Sequence, residues 1–312
     1  MLSSKISVVF PGQGSQYPEM LKEYLKKEIT FREFFSIGSE LLGEDLEKLL
    51  ICGNDEDLSK TEITQPLMLI ADLALWNLTS PYMKNIVCLA GHSLGEYSAL
   101  VASESLLLED AIKLVKKRSF LMQKYTPKEG GGIAAIIGLD KDKIIDVCNE
   151  ISLNKDSLVN TANLNSPTQI VISGTKKGVS LAMDKCKEIG ARSSVHLPMS
   201  VPAHSELMKP AADKFSKLLD EITFLKPKIP ILHNVDSSLC VDPVQIKGKL
   251  TKQIYSPVLW TDTVNAIIKL GVDKIYECGP GKVLIGLIKR INSNVDLIDL
   301  DNYKNYLAIK DV

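Results

Sequence analysis

The stretch that most restricts the fold is CLAGHSLGEYSALVA, residues 88–102. A short apolar run, NIVCLA (85–90), reads as a buried strand, and a helical pattern begins directly after the glycines at 91 and 95 that flank Ser93. Strand can pass to helix in so few residues only by a sharp turn, and Gly91 and Gly95 remove the Cβ atoms that would clash there. Such a turn lifts the serine hydroxyl to its tip, with a helix N-terminus behind it that favours developing negative charge. Two readings are open. Ser93 is a nucleophile with the Leu94 N–H as half of an oxyanion hole, or GHSLG is a tight connection whose serine faces solvent. His92 should point away from the serine in a strand-like bend, as a supporting residue and not a base.

The rest of the chain sets that turn in an α/β context. ISVVF (6–10) reads as a buried strand ending at Pro11 and Gly12, with mostly helical patterns from there to the serine. TPKEGGG (126–132) stops a helix. Strand, helix, strand, strand, helix and strand patterns then follow in IAAIIGL, KDKIIDVCNEI, LVNTANL, TQIVISG, KKGVSLAMDKCKEIG and RSSVHLP. This order predicts a ferredoxin-like lobe at 129–198 inserted into a larger domain made of 1–128 and 199–312. In the outer segments SELMKPAADKFSKLLDEI, TDTVNAIIKLG and KVLIGLIKRI read as helices, and IPILHNV and KIYECG as strands. Alternating strands and helices predict a mostly parallel sheet with helices on both faces.

Composition excludes several classes. A net charge of -1 gives no reason to expect nucleic acid or an anionic membrane as partner. The six scattered cysteines form no C-x-x-C pair, which argues against a disulfide framework or zinc site and fits a reducing compartment. The apolar run after Lys5 is too short for a signal peptide, and PLMLIADLALW is too short to span a bilayer. These features predict a soluble cytoplasmic protein. GPGKV (279–283) lacks the G-x-x-x-x-G-K-[ST] spacing, and GQGSQY has Tyr17 where G-x-G-x-x-G needs glycine, so nucleotide hydrolysis and dinucleotide binding are rejected.

Two further residue types bear on Ser93. In LEDAIKLVKKRSFLMQKY (108–125), positions 111, 115, 118, 122 and 125 share one helical face, so Arg118 falls on an apolar stripe. A guanidinium there needs an anion. It forms an ion pair with a buried Asp or Glu, snorkels with only its stem covered, or clamps a substrate carboxylate through its planar fork. The last would mean a dicarboxylic acyl group on Ser93. A serine nucleophile also needs a base within hydrogen-bond reach. His196, in a strand, and His233, in an apolar run, read more simply as satisfied buried histidines. His204 lies in MSVPAHSELM, a loop held by Pro202 ahead of a helix, where functional side chains are often presented.

The motifs FPGQGSQ, GHSLGEYSAL, KKRSFLMQ, NSPTQIVISG, SVPAHSELM, HNVD, QIYSPVLWT and YECGPGKVLIGLIKRI, in this order from about residue 6 to 291, resemble those of the malonyl-CoA:acyl carrier protein transacylases, including free-standing polyketide synthase acyltransferases. The resemblance implies an α/β-hydrolase-like large domain with an inserted ferredoxin-like domain. It implies transfer of a malonyl group from malonyl-CoA, through a malonyl-serine, to the phosphopantetheine thiol of an acyl carrier protein, with no bound cofactor or metal. By position, Ser93 is the nucleophile, His204 its general base and Arg118 the clamp on the malonyl carboxylate. Gln13 supplies the second oxyanion N–H beside that of Leu94, Gln253 orients His204 through its backbone carbonyl, and Asn234 and Gln65 line the pocket. Ser119 departs from the family, where glycine often follows the arginine. Leu94 resembles the malonyl-selective members, whereas methylmalonyl-selective relatives often carry Gln there. Two competing activities use the same residues differently: a hydrolase that clears acyl groups from carrier proteins, and a non-catalytic scaffold that binds them.

Overall fold

The computed structural model describes residues 4–199 and 201–311. Strand β1 (Ile6–Phe10) is buried along its whole length, as its unbroken apolar run requires of an inner strand of a parallel sheet. Its side chains alternate between two layers. Val8 and Phe10 join the core beneath the helices Thr61–Thr79 and Leu108–Lys124, and Val9 packs on the opposite face with Trp260, Val264 and Leu284. β2 (Ile86–Gly91) pairs parallel with β1.

In the second sheet, β3 (Gly131–Ile137), β4 (Val159–Ser166), β5 (Gln169–Thr175) and β6 (Ser193–His196) are antiparallel in the order β4-β5-β3-β6. The helices Lys141–Ser152 and Lys176–Glu188 cover one face, where Ala134, Ile136, Ile170 and Ile172 meet Ile144, Val147, Val179 and Met183. The alternate residues Ile133, Ala135 and Val171 point away from those helices toward the first sheet.

β7 (Ile231–Leu232), β8 (Leu239–Cys240), β9 (Lys274–Glu277) and β10 (Asp296–Asp299) complete the first sheet, in the order β10-β9-β1-β2-β7-β8. All its pairings are parallel except that of β8 with β7. The molecule is thus an α/β fold with a mixed, mostly parallel main sheet. The chain segments beyond the C-terminal ends of β1, β2 and β9 gather at one end of this sheet, the usual place for a ligand crevice in such folds.

Several elements differ from the sequence reading. The IPILHNV strand contracts to Ile231–Leu232, since the chain turns at His233 and Asn234 to bury their polar side chains. β8, β10 and the helices Pro243–Gln253 and Tyr303–Lys310 were not anticipated. β8 and β10 are short edge strands of mixed polarity, without an apolar period to announce them. His196 is exposed on β6, not buried, because that short strand lies at the rim of its sheet. Five cysteines are buried free thiols, and the Cys52 side chain lies outside the described residues, as does the start of the N-terminal segment at residues 1–3. Among the described residues no helix is long and apolar enough to cross a membrane.

Candidate active site

The turn after β2 is as tight as its glycines suggest. A Cβ on Gly91 would lie 1.9 Å from the Gly95 carbonyl carbon, and one on Gly95 would lie 2.1 Å from the Phe10 carbonyl oxygen. Both positions therefore exclude any other residue. The second contact also lets the end of β1 press against the start of the helix Gly95–Ala102, which brings the loop Gly12–Gln16 beside Ser93. Ser93 itself takes φ of 51°, a left-handed conformation that costs a non-glycine residue of order 1–3 kcal/mol and persists only where its surroundings enforce it. Asn234 enforces it: its Oδ1 accepts the Ser93 N–H at 2.7 Å, and its Nδ2 donates to the Gly91 carbonyl at 2.6 Å.

Ser93 and His204 meet although 111 residues separate them, with Oγ 2.8 Å from Nε2. His204 is also held at positive φ, 59°, and its other ring nitrogen, Nδ1, lies 2.7 Å from the Gln253 carbonyl oxygen. A carbonyl only accepts, so Nδ1 carries the proton and Nε2 presents its lone pair to the serine hydroxyl. Burial, with the Arg118 charge as the next cause, lowers the His204 pKa from 6.5 to about 3. The imidazole is therefore neutral, and able to take a proton, throughout the neutral range.

Two consequences can be measured. Acylation of the free enzyme should show no loss attributable to a histidine titrating near 6.5; an acid limb centred there would contradict this geometry. The stability effect has a definite sign. The unfolded chain binds a proton at His204 below about pH 6.5 while the native one does not until about pH 3, so this group lowers stability as pH falls through that window.

Arg118 is 2% exposed, as its place on the inward stripe predicts. Among the described residues it meets no carboxylate within ion-pair distance. Nη1 donates to Gln65 Oε1 at 2.6 Å, and Nη2 donates to Gln253 Oε1 and to Ser93 Oγ, each at 3.1 Å, while Nε has no protein partner. The Tyr97 ring lies 5.6 Å beneath the guanidinium. Both the structural ion pair and the snorkelling reading fail: the head is buried and every acceptor is neutral. Ser119 fits without distortion, its hydroxyl turned back to the Lys116 carbonyl.

These groups open on a cavity of about 670 Å³ between the two sheets. Gln13, Gln65, Ser93, Leu94, Arg118 and His204 all line it. Among the described residues neither the Gln13 nor the Leu94 backbone N–H is donated to a protein acceptor. Asn234 does not line the cavity. It is fully buried behind the serine, where it holds the turn. His92 points its Nε2 at Asn165 Oδ1, 2.8 Å away, and its ring stands edge-on to Trp260, so it supports the site and leaves Ser93 to His204.

One residue of this machinery escaped the sequence reading. Glu96, 1% exposed, accepts from His233 Nδ1 at 2.6 Å, from the Asn234 N–H at 3.1 Å and from Gln253 Nε2 at 2.9 Å. It thus braces both the residue that holds the serine turn and the one that orients His204. The signal was an acid in the otherwise apolar helix EYSALVA. His233 is buried as expected but only half satisfied, since among the described residues Nε2 has no partner.

Comparison with known proteins matches nearly the whole chain. The family model for the acyl transferase domain matches residues 8–290. The chain is 45% identical over 289 residues, 92% of its length and 93% of the relative's, to the malonyl CoA-acyl carrier protein transacylase of Salmonella typhimurium. It resembles the solved acyl carrier protein S-malonyltransferase of Vibrio cholerae O1 biovar eltor, with a TM-score of 0.93 and 43% identity over 98% of this chain and 100% of that one. A malonyl-transacylase solved in complex with a type II PKS acyl-carrier protein matches with a TM-score of 0.95 and 40% identity, covering 99% and 100%.

Proposed function

The chain belongs to the acyl transferase domain family, and from that premise we propose that it moves a malonyl group from malonyl-CoA to the phosphopantetheine thiol of an acyl carrier protein. The observation that carries this reading is Arg118: a buried cation with only neutral acceptors, 3.1 Å from a serine oxygen that also faces a neutral histidine. A diacid thioester supplies both what the serine attacks and what the guanidinium lacks.

In the first half-reaction Ser93 Oγ attacks the thioester carbonyl as its proton passes to His204 Nε2. The oxyanion is received by the Gln13 and Leu94 N–H groups, and the malonyl carboxylate takes the Arg118 Nη2 donor from Ser93. The C–S bond breaks and His204 returns the proton to the departing CoA sulfur. In the second half-reaction the carrier thiol gives its proton to His204 and attacks the ester. Ser93 Oγ then leaves and recovers that proton. Donor and acceptor share the pantetheine arm, so one cavity serves both. Gln253 orients the base through its carbonyl, Gln65 holds Arg118 from within the pocket, and no step calls for a cofactor or metal. The same step supplies malonyl units to fatty-acid and polyketide synthesis.

We read the main-sheet region, 1–128 and 199–312, as an α/β-hydrolase-like catalytic domain, and 129–198 as an inserted ferredoxin-like domain that roofs the cavity. The location we assign is cytoplasmic, where CoA thioesters and reduced thiols coexist. The test is to mix the protein with labelled malonyl-CoA and a holo carrier protein. Label should appear on the carrier faster than as free malonate. Malonate release at the transfer rate would make this a hydrolase, and no uptake at all would make it a scaffold.

A further inference from the structure

The hydrogen bonds leading away from Arg118 have a fixed direction. A guanidinium donates and cannot accept, so Gln65 must turn Oε1 toward Arg118 Nη1, 2.6 Å away. Gln65 Nε2 is then left to donate to Thr61 Oγ1 at 2.8 Å. The Thr61 hydroxyl, already accepting, directs its single proton to Gln13 Oε1 at 2.7 Å. Gln13 Nε2 in turn donates to the Ser59 carbonyl at 3.4 Å. The polarity of the whole chain is set at its cationic end.

Thr61 is the first residue of the helix Thr61–Thr79, one position past the capping residue from which a side chain ordinarily serves a helix N–H. Lys60 occupies the capping position, and among the described residues both bonds of the Thr61 hydroxyl go to glutamine side chains. One of those glutamines holds Arg118, and the other is Gln13, which lines the cavity with Leu94.

We propose that Thr61 is a positioning residue that ties the carboxylate clamp to the oxyanion loop. Through it, the placement of Arg118 and the placement of the Gln13 N–H are set together. The proposal rests on the roles given above to Ser93, Arg118 and Gln13. A diacid that seats Arg118 correctly finds the oxyanion donor already aligned. An acyl group that leaves the arginine disengaged gains less from the same loop. Selection at the far end of the acyl group is thereby felt at the reacting carbon.

Thr61→Val removes the hydroxyl at nearly constant shape and cuts both bonds, while Thr61→Ser keeps them. Single-turnover formation of the acyl-serine is measured with malonyl-CoA and with acetyl-CoA. The valine protein should acylate from malonyl-CoA about tenfold to a hundredfold more slowly at saturation, the scale of a small misplacement of a reacting group. Its preference for malonyl over acetyl should fall, and the serine protein should stay near the wild-type rate. In Thr61→Val/Arg118→Ala the malonyl defect should not exceed that of Arg118→Ala alone, because the chain is already cut at its source. Thr61→Ala makes the same cut if the valine protein does not fold. The proposal is overturned if Thr61→Val acylates at the wild-type rate, if Thr61→Ser is as slow as valine, or if the two single defects multiply in the double variant. A wild-type protein that forms no malonyl-serine would instead remove the reading of Ser93 itself.

Discussion

Mixed with malonyl-CoA, Ser93→Ala protein gains no malonyl mass, and His204→Ala acylates roughly 10²–10⁴-fold more slowly than wild type. The serine effect is the larger because, among the described residues, the other hydroxyls lining the cavity are not hydrogen-bonded to His204. No cysteine is among the described residues that line the cavity, and burial pushes the thiols of Cys88, Cys148 and Cys186 up to about 11 or 12. The histidine effect follows from the 2.8 Å contact with Oγ and from an imidazole held neutral with Nε2 free to accept. Intact-mass measurement reads the first variant and rapid-quench acylation the second. A malonyl adduct of wild-type yield on the Ser93→Ala protein, or wild-type acylation by His204→Ala, would remove the dyad from the mechanism.

The legible parts of this site are those whose signal is local. Gly91, Ser93 and Gly95 sit within five residues, and the clash that excludes other side chains is between near neighbours in sequence. Arg118 was placed on an inward face by the 3.6-residue period alone, and it is 2% exposed. What period cannot supply is the partner across the fold. Periodicity left Arg118 between ion pair and clamp, and only the neutral oxygens of Gln65, Ser93 and Gln253 exclude the ion pair.

Glu96 and Asn234 show the same limit from the other side. Their bonds span 137 to 157 residues, and neither the acid in a helix nor the amide after a two-residue strand announces a partner. Asn234 was assigned to the pocket lining by position in a motif. The structure puts it behind the serine, where its value lies in holding a strained backbone. The short edge strands β8 and β10 were missed for a related reason: a strand that buries little carries little pattern.

Arg118→Ala separates the clamp from the catalytic pair. A buried guanidinium on a carboxylate contributes charge-assisted hydrogen bonds of about 1.5–3 kcal/mol each. Losing two of them lowers malonyl acylation by roughly 10²–10⁴-fold at about 1.4 kcal/mol per decade. Acetyl-CoA has no carboxylate to lose, so its transfer is spared, and it improves where removal of an uncompensated buried charge eases entry of an apolar acyl group. The same substitution removes the positive charge that is the second cause of the depressed His204 pKa, so the acid limb of acetyl transfer should move up toward the ordinary histidine range. Two readouts thus follow from one side chain: the ratio of malonyl to acetyl acylation, and the position of the acid limb. Equal losses for both acyl groups with an unmoved pH profile would mean that the arginine supports the fold and chooses nothing.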